Sequence, residues 1–178
     1  MASSSQSLCL ACGICCEGML SRSVPLTPED EISPLVVAGI NIIADGKLNL
    51  FTLPCAAHKN RECTVYADRP RMCQKYRCEL LKRFEAGKIS RDAALEIVEK
   101  TITVRNEMKT FADSTNEPNV RLIFQQWLKN PSSGLKKSNI GTSEKAYAPL
   151  FFKFLIFQKY LDRYFRKEPL VWLSRHLS

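Results

Sequence analysis

The spacing of apolar and polar positions changes along the chain, and each change marks an element. Thr27-Pro28-Glu29-Asp30 has the composition of a helix start, with Thr27 as N-cap, Pro28 in the first helical position and two acids at the positive end of the dipole. It predicts a short helix to about Ala38. From Asn41 to Leu53, apolar and β-branched residues flank Asp45-Gly46, the pattern of a tight hairpin that returns Pro54 and Cys55 toward the N-terminal cysteines. Helical spacing resumes from Met72 to Phe84 and stops near Gly87.

The second half reads as helices. From Ser90 to about Ala112, Ala94, Ile97 or Val98, Ile102, Arg105 and Met108 recur at steps of three to four, with Glu96, Glu99, Lys100, Glu107 and Lys109 on the other face. A polar break at 113–119 precedes a short helix predicted over Val120 to Lys129 and a loop from Asn130 to Gly141. Ser143 or Pro149 opens a last helix, Leu150 to Lys167. Its apolar stripe is Leu150, Phe154, Phe157, Leu161 and Tyr164, with Lys153, Gln158, Lys159, Asp162, Arg163 and Arg166 opposite. Phe151, Phe152, Leu155 and Ile156 leave that stripe. Residues 149–167 are therefore a candidate docking face for a protein partner, with peripheral membrane contact as a weaker alternative. The apolar segment is interrupted by Lys153 and too short to span a bilayer, so no transmembrane segment is expected.

Composition changes this picture mainly through sulfur. All eight cysteines fall in the first 78 residues, and four are compressed into Cys9-Leu-Ala-Cys12-Gly-Ile-Cys15-Cys16; Cys55, Cys63, Cys73 and Cys78 answer them downstream. Thiols at this density are an oxidation hazard unless metal or disulfide bonds engage them. Met1 to Ser7 is short, polar and uncharged, with neither a secretory signal nor an Arg-rich transit peptide. The expectation is a cytoplasmic protein with reduced thiols and hence metal, disulfides being the competing use of an even cysteine count.

The formal charge of +8 counts each cysteine as neutral, whereas metal ligation requires thiolates. Eight thiolates would cancel that charge, and two divalent centres would restore only part of it. Residues 1–90 carry 11 Lys+Arg against 9 Asp+Glu and residues 91–178 carry 15 against 9, so a loaded cysteine half is slightly acidic and the rest basic. No run of five basic residues, RNA-binding sheet motif or Cys/Cys/His/His finger spacing is present, and nucleic-acid binding is not expected.

A ligand set made only of thiolates selects zinc, an iron–sulfur cluster or copper(I) over magnesium or calcium. Eight cysteines make two four-sulfur sites in number, without saying which cysteine serves which. Adjacent Cys15 and Cys16 suit two nearby centres, a bridged arrangement, or one ligand beside one reactive thiol. Cys73 and Cys78 lie about 140° apart on a regular helix. Either a helix begins between them or they serve different centres. Cys9-x2-Cys12-x2-Cys15 matches the first three cysteines of a bacterial ferredoxin run, with Cys16 where the fourth is displaced. A second Cys-x2-Cys, needed for a zinc ribbon, is absent. Gly13 and Gly18 permit tight turns around these thiols. His58 is a candidate nitrogen ligand, but with eight sulfurs at hand the expectation is a solvated histidine, and His176 is given no role.

Cys9-x2-Cys12-x2-Cys15-Cys16, Pro54-Cys55, Cys63-Thr-Val-Tyr66, Arg69-Pro70-x2-Cys73 and Tyr76-x-Cys78 resemble the YkgJ-type cysteine-cluster (CxxCxxCC) family of zinc- or iron-chelating domains, over roughly residues 8 to 85. The resemblance implies a metal-binding domain with Cys9, Cys12, Cys15, Cys16, Cys55, Cys63, Cys73 and Cys78 as ligands. Some relatives act in flagellin lysine methylation, but no Gly-rich loop for S-adenosylmethionine is seen here, so that activity is not carried over. In Tyr66-x-x-Arg69-Pro70, Arg69 is placed to pair with Asp68, another carboxylate or a sulfur, and Pro70 to start the helix that presents Cys73.

The fold expected is mostly α with a small β-hairpin: a metal-stabilised cysteine-cluster domain over 8–88, followed by a helical C-terminal extension over 89–178 packing on it. The function expected is chelation of an iron–sulfur cluster or zinc in a redox, metal-handling or accessory role. Two alternatives stand beside it. One is an enzyme or accessory subunit using the cluster or a free thiol, for which two histidines and no paired carboxylates offer few partners. The other is a structural metal module that docks a partner through its aromatic C-terminal helix.

Overall fold

A computed structural model of the chain describes residues 4–46, 48–114, 126 and 144–168. These residues are mostly helical with a small antiparallel sheet. The chain divides into two compact units, Met1–Leu95 and Glu96–Ser178. The helix predicted over Val120 to Lys129 and the loop after it lie outside the described residues, as does His176.

The first unit opens with helix α1, Ser4–Cys12, which the sequence pattern did not announce. Gly13, at φ +66, ends it, and its amide returns to the Cys9 carbonyl at 3.3 Å. A second left-handed glycine, Gly18 at φ +78, closes the turn that holds Cys15 and Cys16. Both positions need a backbone that side chains resist. Strand β1, Ser23–Leu26, then pairs antiparallel with β3, Leu48–Thr52, which also pairs with β2, Ile42–Asp45, giving the order β1-β3-β2. The β2–β3 hairpin is the one that Asp45-Gly46 predicts. β1 is an addition to it, disguised by its four-residue length and by Pro25, which an edge strand tolerates.

Helix α2 spans Ile32–Val37, shorter at its start than expected. Thr27 is not its N-cap. The Asp30 carboxylate accepts from the Thr27 amide at 2.7 Å and the Thr27 hydroxyl at 3.1 Å, closing a separate turn, and it also accepts from the Arg71 amide at 2.7 Å. Asp30 thus ties this turn to the start of α3, Arg71–Lys75. The helix expected through Met72 to Phe84 is broken: α3 ends at Tyr76, whose ψ of 131 is extended, and α4 runs from Glu79 to Glu85 with Cys78 as its N-cap residue. Between sheet and α3, β4 (His58–Lys59) and β5 (Glu62–Cys63) form a miniature hairpin through Asn60 and Arg61, at φ 50 and 67. Two positive φ values define the turn that matches strand twist, with asparagine suited to its first position.

Leu26, Leu35, Ile40, Phe51, Ala57 and Val65 form the buried cluster of this unit, and Cys55, Cys63 and Cys73 pack against it. Leu8, Ile14, Leu80 and Leu81 are buried where α1 meets α4.

Helix α5, Arg91–Ser114, carries its charged face outward as expected and buries Ala94, Val98, Thr101, Ile102, Met108 and Ala112. The buried Thr101 hydroxyl is satisfied by the Ile97 carbonyl at 2.7 Å. Helix α6 spans Glu144–Tyr160, so Pro149 lies inside it rather than at its start. Leu150, Phe154, Phe157 and Leu161 are buried, as the stripe predicts. Beyond Tyr160 the helix widens into a π turn, Leu161–Phe165, which carries the stripe to Phe165 in place of Tyr164. Gln158, expected on the polar face, is only 2% exposed; its side-chain oxygen accepts from Arg166 at 2.9 Å, and Arg166 also pairs with Asp162 at 2.6 Å. Among the described residues no helix is long and apolar enough to cross a membrane.

Candidate metal centre

All eight cysteines are free thiols, so none is engaged in a disulfide. The fold gathers them by distinct local devices. Cys9 and Cys12 are one helical turn apart on α1 and share a face. Cys15 and Cys16 sit in the turn between Gly13 and Gly18, where Glu17 and Met19 bond back to Gly13 and Ile14. The β2–β3 hairpin brings the chain back to that turn as its sequence predicts: the Cys55 amide donates to the Cys16 carbonyl at 2.8 Å. Cys63 lies opposite His58 in the small hairpin, Cys73 is on α3, and Cys78 begins α4 against α1.

Electrostatics gather these thiols into two adjoining neighbourhoods that meet at Cys16, whose charge also acts on Cys12 and Cys15, as that of Cys9 acts on it. Burial pushes Cys12 up to about 12 and Cys15 well above the ordinary thiol range, and the negative charges of Cys78, Cys9 and Cys16 push both further, with Cys12 adding to the effect at Cys15. Cys9, the one exposed residue of the eight, is also raised, by desolvation and then by Cys78. In the second neighbourhood burial pushes Cys16 up to about 12 and Cys73 to about 11; Cys63 and Cys55 add repulsion at both, and Cys73 adds it at Cys16. Burial raises Cys55 too, with Cys63 adding to it. Thiols so crowded and desolvated cannot all ionise unless a cation compensates them.

Fixed dipoles favour thiolate at several of these positions. The Ile14 amide faces Cys12, the Ala57 and His58 amides face Cys55, and the Leu80 and Leu81 amides at the start of α4 face Cys78 without closing a full cap hydrogen bond. Arg69 lowers the cost of charge at both Cys9 and Cys73. Its guanidinium does not pair with Asp68. It lies 3.8 Å over the Tyr66 ring and donates to the Tyr66 carbonyl at 3.1 Å, while Pro70 caps α3 as the motif suggests. Arg61 reaches from the small hairpin to the Ala11 carbonyl at the end of α1, joining the two cysteine-bearing segments.

His58 departs from the solvated histidine expected. Its Nε2 is buried without a hydrogen-bond partner, and a Cβ on Gly13 would meet that atom at 2.4 Å. The imidazole therefore lies with its Nε2–Cε1 edge against the cysteine turn, a position that strand pairing with Cys63 fixes and that its sequence distance from Cys16 hides.

The residues fit a soft metal in donor chemistry: free thiols, low-dielectric surroundings, amides aimed at sulfur and an unsatisfied imidazole nitrogen. The groups are neighbourhoods rather than closed shells, because among the described residues no three histidine, cysteine or acidic side chains converge tightly on one point.

This sulfur-rich unit of short helices and strands has the character of a metal-chelating domain. Residues 8–109 match the CxxCxxCC family model, described as "Putative zinc- or iron-chelating domain", and the chain belongs to that family. The match runs past the last cysteine into α5, farther than the motifs themselves reach. No curated protein and no solved structure matches the chain.

Proposed function

We propose that this is a cytoplasmic metal-binding protein in which Cys9, Cys12, Cys15, Cys16, Cys55, Cys63, Cys73 and Cys78 hold an iron–sulfur cluster or zinc, in a redox, metal-handling or accessory role. The observation that carries the reading is the gathering of eight free thiols, from six separate elements and turns, into two adjoining desolvated neighbourhoods. Bound iron–sulfur would supply one-electron chemistry, and bound zinc a structural crosslink. The chain's own contribution is to hold thiolates close, shield them from water and aim backbone amides at them. Burial argues against a catalytic thiol: a nucleophilic cysteine needs a lowered pKa, and Cys15 and Cys16 are both driven upward. Anaerobic purification followed by an absorption spectrum and elemental analysis tests the proposal. Brown protein with iron and acid-labile sulfide identifies a cluster, colourless protein with stoichiometric zinc identifies the structural ion, and protein that takes up neither sinks the reading.

A second reading, a metal module that docks a protein partner through residues 149–167, is supported by Phe152 at 64% and Ile156 at 48% exposure, one turn apart on α6. Replacing both with glutamate should abolish such docking while leaving metal content unchanged. A partner that stays bound to the double variant rules this face out.

A further inference from the structure

We infer that the chain builds two separate four-sulfur centres, Cys9, Cys12, Cys15 and Cys78 in one and Cys16, Cys55, Cys63 and Cys73 in the other, set back to back across the Cys15–Cys16 peptide. The inference rests on the proposal that these thiols hold metal, and it decides which thiol serves which ion.

The assignment follows from how the elements pack. The first set is a helix–helix construction: α1 supplies Cys9 and Cys12 from one face, its packing on α4 brings in Cys78, and the turn after α1 adds Cys15. The second set is built on the sheet side. Cys55, Cys63 and Cys73 all pack against the cluster of Leu26, Leu35, Ile40, Phe51, Ala57 and Val65, and none of the first set does. Cys16 joins them through the 2.8 Å bond from the Cys55 amide to its own carbonyl. The two helices α3 and α4 explain why Cys73 and Cys78, five residues apart, part company: the break at Tyr76 sends one to each set.

Consecutive Cα atoms are about 3.8 Å apart and their side chains diverge, so the Cys15–Cys16 pair can serve two centres only if these are immediate neighbours. Arg61 bonded to Ala11, and His58 lying on Gly13, are further struts between the two halves.

The test uses the full chain loaded with Zn²⁺ under reducing conditions, labelled with N-ethylmaleimide and read by mass spectrometry. The wild type should bind two zinc ions and protect eight thiols. Cys78→Ser should bind one, exposing Cys9, Cys12 and Cys15 while Cys16, Cys55, Cys63 and Cys73 stay protected; Cys63→Ser should give the mirror pattern. A folded variant that exposes thiols from both sets alike overturns the assignment but not metal binding. Should a variant fail to fold, limited withdrawal of zinc from the wild type by a chelator replaces it. Thiols should then become labelled four at a time, within one set, and labelling that mixes the sets refutes the pairing. A wild-type chain that binds neither zinc nor iron refutes metal binding itself, and the assignment with it.

Discussion

The two units of this chain solve the same problem by different means. In Glu96–Ser178 the described core is conventional: Val98, Ile102, Met108, Phe154, Phe157, Leu161 and Phe165 remove large apolar surface from water, at about 25 cal/mol per Å². In Met1–Leu95 the elements are short, Phe51 is the one buried aromatic residue among those described, and three cysteines form part of the packing around it. A domain of that size with so modest an apolar core ordinarily relies on covalent or metallic staples. The difference is that thiols take part in the packing of the N-terminal unit, so stability in the two units should respond to different perturbations.

Metal removal is the strongest way to separate them. Structural zinc contributes on the order of 10 kcal/mol to small zinc-binding folds. Exhaustive chelation under reducing conditions should therefore sharply lower amide exchange protection across residues 8–87 while α6 keeps much of its own. Equal protection in apo and loaded protein would show that the thiols are incidental to the fold.

Phe154→Ala probes the other side of the comparison. Phe154 is fully buried, and its truncation should cost about 3–5 kcal/mol while leaving bound metal per chain unchanged. Loss of metal in this variant, measured by elemental analysis, would mean that the units are energetically coupled.

Alkaline pH comes next. In the metal-free chain burial holds Cys12 and Cys16 at about 12 and Cys73 at about 11, above the ordinary thiol value of 9.0. As pH rises, the unfolded chain releases its protons first, so the stability these thiols contribute is fully present below about 9 and is lost progressively toward about 12. The melting temperature of the reduced apo protein should fall across that window. The loaded protein, whose thiols are already deprotonated, should not share the fall.

The smallest effect is local. Gly13→Ala places a methyl at φ +66 and 2.4 Å from His58 Nε2, and should cost roughly 1–2 kcal/mol from the backbone alone, with weaker metal retention. Adding His58→Ala should relieve the collision but not the backbone strain. Full recovery in a double-mutant cycle would show that the steric contact accounts for the whole cost.

What the sequence disclosed follows from the range of the forces involved. The β2–β3 hairpin was legible because Asp45-Gly46 encodes its own turn, and α5 and the α6 stripe because their periodicity extends over several turns. The family motif, confirmed by the match over 8–109, stood out because sulfur is rare. Short-range competition was harder to see. Thr27 lost its capping role to a carboxylate three residues on that also binds an amide 41 residues away, and one helix became two because Tyr76 turned extended. The grouping proposed for the thiols was hidden for the same reason: it rests on a helix–helix contact and on the bond between Cys16 and Cys55, neither of which leaves a local signature.

The π turn at Leu161–Phe165 has a consequence of its own. A wider coil shifts the phase of every later position, so Arg166 ends near Gln158 and Asp162 instead of trailing into solvent with Lys167. Deleting a single residue from that coil would restore ordinary winding and swing the arginine away from its glutamine. A one-codon loss there should be felt more sharply than many whole side-chain replacements nearby.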